Sequence, residues 1–173
     1  MGLEETAIQS GYNFLDTYVV PYLIVLAIAF LTTAFGMSLL DLNRRRSLKL
    51  ALRAELRTNV RVTKALVAYA DTQLSGDTSV APMPRYRTAA FQEFADAGLL
   101  EKIPGKIAGE LEHLYLSMVS VNKAGRRQEE LAFGPAAAFP NAHTLRLENL
   151  TYARDTAHNV VEPYQDRLKD FTH

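Results

Sequence analysis

The chain has 173 residues, 48% of them hydrophobic and 22% charged, with a formal net charge of zero and no cysteine. Such a length builds one modest domain once a membrane segment is set aside. The missing cysteine excludes structural disulfides, thiolate-held iron–sulfur clusters, covalently attached c-type haem and a cysteine nucleophile.

Overall neutrality hides a local imbalance. Residues 1–40 hold three acids and no base, residues 41–64 hold eight bases and two acids, and the remainder holds eleven bases and fourteen acids. The first segment, 1–16, is short and acidic. Residues 17–40 then read TYVVPYLIVLAIAFLTTAFGMSLL, uncharged throughout and bounded by Asp16 and Asp41. At about 1.5 Å per residue this run crosses a hydrocarbon layer of about 30 Å with some tilt. It therefore predicts one transmembrane helix. A cleaved signal peptide needs a basic region before a shorter apolar run and a small-residue cleavage site after it; here acids precede the run and arginines follow.

Lysine and arginine near a span collect on the cytoplasmic side. Arg44, Arg45, Arg46, Lys49 and Arg53 follow the run and no basic side chain precedes it. The expectation is an N-terminus outside the cytoplasm or in a lumen, with everything after Asp41 cytoplasmic, in an inner or intracytoplasmic membrane. Tyr18 and Tyr22 suit the outer interface, and Pro21 falls near the helix start, where a missing donor costs little.

Within the run, Ala29 and Thr33, Thr32 and Gly36, and Ala34 and Ser38 are each four apart. Small residues at that spacing let helix backbones approach closely in lipid, so Ala29, Thr32, Thr33 and Gly36 are predicted to pack against another span. The run holds no ionisable side chain and so offers no proton relay, ion site or histidine ligand.

No glycine intervenes between Gly36 and Gly76, and no proline between Pro21 and Pro82. The predicted membrane helix continues, or bends near residues 42–47, into a basic juxtamembrane helix ending near 74. Leu48, Leu52, Leu56, Val60, Thr63, Val67, Ala70 and Leu74 form its apolar stripe. Lys49, Arg53, Arg57 and Arg61 form a basic row beside that stripe. Together with Arg44, Arg45 and Arg46 they are candidate contacts for anionic lipid headgroups, at about 1 kcal/mol per base close to the surface. Arg57 and Arg61 lie beyond a Debye length of the bilayer and need an acidic protein partner.

Residues 75–173 read as three further helical segments separated by proline and glycine. A loop at 75–84 precedes a short helix carrying Tyr86, Ala90, Phe91 and Phe94 and stopped near Gly98. Ile107, Leu111, Leu114, Met118 and Val121 give the next stripe, ending toward Gly125. The loop FGPAAAFPN, 133–141, precedes a last face of Leu150, Ala153, Ala157, Val161, Tyr164, Leu168 and Phe171, with Pro163 as a kink or break. Strand-like alternation is lacking, so the predicted fold is all-α: one N-terminal membrane helix and a bundle of three to four helices.

Chemistry is sparse. Glu110 and His113 have the spacing used in dimetal bundles, but no second such pair exists and His113 lies off the apolar stripe. His158 and Glu162, four apart, fit a surface pair. His143 and His173 are expected to be exposed. Serine-hydrolase and P-loop motifs are absent from the sequence. No catalytic, cofactor or metal residue is predicted. Asn59 and Asn122 fall near the apolar stripes, where a buried amide needs partners and a bond to loop backbone would fix the domain's register.

These features predict a non-catalytic accessory or scaffold subunit of a multi-subunit membrane complex. On frequency alone, bioenergetic assemblies, respiratory or photosynthetic, come first. Its expected partners are other membrane subunits and anionic lipid headgroups, with no nucleic acid or small-molecule substrate. The alternative is a membrane-anchored helical sensor or signalling module.

Overall fold

The computed structural model describes residues 19–76 and 82–169. The predicted N-terminal segment 1–16, Tyr18, Phe171 and His173 lie outside them. The described residues are all-helical apart from turns and irregular connections, the longest at 82–88. The chain divides into two compact units, Met1–Arg46 and Ser47–His173.

Helix α1, Val20–Leu74, contains 55 residues without a break. The absence of glycine and proline over most of its length removes the usual reasons for a stop. Up to Leu40 the helix is uncharged and its large apolar side chains are exposed: Ile24, Phe30, Leu31, Phe35 and Leu40 all face outward.

In the second unit the same helix is amphipathic. Its buried residues are Leu52, Glu55, Leu56, Asn59, Thr63, Leu66, Ala70 and Gln73. This corrects the predicted stripe: Leu48, Val60, Val67 and Leu74 are only half-buried, while Asn59, Leu66 and Gln73 are buried. The buried amides are hydrogen-bonded, which offsets the cost that hydropathy counts against them.

Two elements then share the core with α1. Helix α3, Gly105–Phe133, runs in the same direction: Tyr115 reaches Glu55, Met118 lies against Asn59, and Gln128 bonds Tyr69. Helix α4, Ala142–Thr156, continues through a π-helical turn, Ala157–Val161, into α5, Glu162–Arg167. This last run is antiparallel to α1, since Arg146 bonds Gln73 while Gln165 bonds Thr63. Pro163, expected to kink or break the helix, lacks an N–H, and the wider turn just before it lets the helix continue.

Between α1 and α3 the chain makes a return pass. The dipeptides around Pro82 and Pro84 disfavour helix in the preceding residues, and residues 82–88 adopt no regular secondary structure. Tyr86 belongs to this irregular stretch and not, as its spacing suggested, to the following helix. That helix, α2, Ala89–Asp96, ends where predicted. Gly98 adopts φ +64°, its N–H bonds Ala95 O at 2.8 Å, and the Leu99 N–H bonds Phe94 O at 3.2 Å. These are the two closing bonds of a Schellman turn, and Phe94 and Leu99 are both buried as that motif favours.

The core holds Leu52, Leu56, Leu66, Phe94, Leu111, Leu114, Met118, Val121, Leu150 and Val161. Gly125 on α3 is buried against Met83, whose terminal methyl fills the place a side chain at 125 would take.

Candidate functional site

The predicted membrane-packing residues occupy the exposed first part of α1. Thr32 Oγ donates to Ile28 O, Thr33 Oγ to Ala29 O and Ser38 Oγ to Ala34 O, at 2.8, 2.8 and 2.9 Å. Each hydroxyl is thus satisfied within its own helix, which lets it face an apolar medium at little cost. A Cβ added at Gly36 would meet nothing within 4 Å.

The basic residues follow on the same helix. Arg45 pairs with Asp41 one turn earlier. Arg44, Arg46, Lys49, Arg57 and Arg61 are exposed, and Arg45 and Arg53 are half-buried. At about 100° per residue, Lys49, Arg53, Arg57, Arg61 and Lys64 fall within an arc of about 120°. That arc lies beside the buried face and points away from its centre.

The most organised polar constellation grips the return pass. Asn122 accepts from the Tyr86 N–H and donates to its carbonyl, both at 2.9 Å. Asn59 does the same for Arg87, accepting from N–H at 2.9 Å and donating to O at 2.7 Å. One asparagine on α3 and one on α1 therefore satisfy both backbone groups of two successive residues that belong to no helix or sheet. Bonding of these amides to loop backbone is what their near-core positions predicted.

Glu55 was not anticipated. Its carboxylate accepts from the N–H groups of Ala90 and Phe91 at 2.9 and 3.2 Å, and from Tyr115 Oη at 2.8 Å. Thr88 supplies no side-chain cap to α2, so an acid on another helix takes that role. A negative charge at a helix N-terminus is favourable. The readable signal is its context: Glu55 is the one acid in residues 42–70, set between Leu52 and Leu56.

Burial raises the phenols of the core. Tyr86 is pushed up to about 12, chiefly by desolvation and against the hydrogen bond to Thr63. Tyr115 is raised by desolvation and further by the Glu55 charge and their hydrogen bond. Both remain neutral donors across the physiological range.

No family model, curated protein or solved structure matches the chain. Its functional reading therefore rests on this geometry. Among the described residues no group of three or more His, Asp or Glu side chains is placed to hold a metal ion. His113 is exposed and lies over the Tyr164 ring, centroids 6.2 Å apart. His158 pairs with Glu162 at 2.9 Å on the surface, and His143 is exposed.

One concave feature stands out. Phe91 and Tyr115 stack at 4.1 Å between ring centroids. With Thr88, Gln92, Leu100, Leu116 and Val119 they line a groove of about 310 Å³ between α2 and α3, with Glu112 at its edge.

Proposed function

We propose that the chain is a non-catalytic, single-span accessory or scaffold subunit of a multi-subunit membrane assembly. Its apolar helix packs among other spans and its helical bundle docks a partner on the cytoplasmic side. The observation that carries this reading is a window of 18 residues in α1 with mean hydropathy 2.4, none of which is buried within the protein. Burying a large aliphatic side chain is worth about 1.5–3 kcal/mol. Ten such side chains left in water forfeit on the order of 15 kcal/mol or more, as much as an entire domain's stability. A core helix would bury them in its own protein. Lipid and neighbouring spans supply the missing cover.

Charge supports an orientation with the bundle in the cytoplasm, since the basic residues all follow the apolar run. Arg44, Arg45, Arg46 and Lys49 lie within about 14 Å of its end, which supports contact with anionic headgroups. Unbroken helix beyond the arginines supports a retained span over a cleaved signal. Purification in mild detergent tests the assembly: co-purifying membrane subunits are expected, and a solitary monomer overturns it. A reporter fused after His173 tests the orientation and should respond as cytoplasmic.

A further inference from the structure

We draw no further inference here: the strongest candidate, the apolar groove between α2 and α3 lined by the stacked Phe91 and Tyr115 and by Leu116, carries a single acid, Glu112, and nothing in the structure shows what covers it.

Discussion

The two parts of α1 have the same secondary structure and opposite reasons for it. Before Arg44, large apolar residues are turned outward, with Phe30 at 74% and Leu40 at 72% exposure; after Ser47, Leu52 and Leu66 are at 0%. Both parts satisfy threonine hydroxyls within their own turns, but the second also sends its buried Glu55, Asn59 and Gln73 to other elements. Helix alone therefore says little about environment. What distinguishes the parts is where their polar groups find partners.

The sharpest break in that comparison is to place a charge on each part. Leu56→Asp or Leu111→Asp puts an unpaired carboxylate in the core, which should cost about 4 kcal/mol or more and abolish the cooperative melt of the bundle followed by circular dichroism. Leu31→Asp, on the exposed apolar part, should leave that melt in place and instead reduce membrane retention.

A smaller effect is expected at the grip on the return pass. Asn59→Ala or Asn122→Ala leaves a backbone N–H and carbonyl without partners and should destabilise the bundle by about 2–3 kcal/mol in denaturant unfolding. Glu55→Gln keeps the shape but removes the charge facing the α2 N-terminus, and should cost about 1 kcal/mol.

The buried phenols give the comparison a pH signature. Tyr86 stands at about 12 when folded, against 10.0 for the free side chain. The folded state therefore holds its proton more tightly, and the stability this confers is full below pH 10 and lost as pH rises toward 12. Up to about 2 kcal/mol should disappear between those limits, and Tyr86→Phe should flatten the decline without removing the share due to Tyr115.

Subtlest is the effect on assembly. Gly36→Leu adds a side chain where a neighbouring span would approach closely, and should weaken partner retention after gentle extraction while leaving the bundle's melt unchanged. Retention at the wild-type level would make the apolar helix a plain anchor and leave the bundle to do the binding.

Much of this was legible in the sequence because it depends on local rules. The long helix follows from missing breakers, its apolar part from an uncharged run, and the end of α2 from Gly98. The near-core positions of Asn59 and Asn122 called for partners. What could not be read was which distant groups those partners are. The residues that meet Glu55, at 90, 91 and 115, are separated from it by two turns of topology that periodicity does not encode. Nor does periodicity distinguish the half-buried Val60 from the fully buried Asn59, because hydrogen bonding offsets the cost of burying the amide. The helical spacing of Tyr86 with Ala90 was misleading for a related reason: the prolines upstream and the two asparagines hold it out of the helix.

That non-helical stretch has a consequence for solvent access. Amides outside helices ordinarily exchange their hydrogens with water quickly, since no repeating ladder protects them. The N–H groups of Tyr86 and Arg87 are closed off from opposite sides by side chains rooted in two different helices. Their exchange is therefore expected to be slowed toward that of the bundle's core amides, which hydrogen-exchange measurements would check. Two residues in a connecting stretch thereby report the stability of the whole unit.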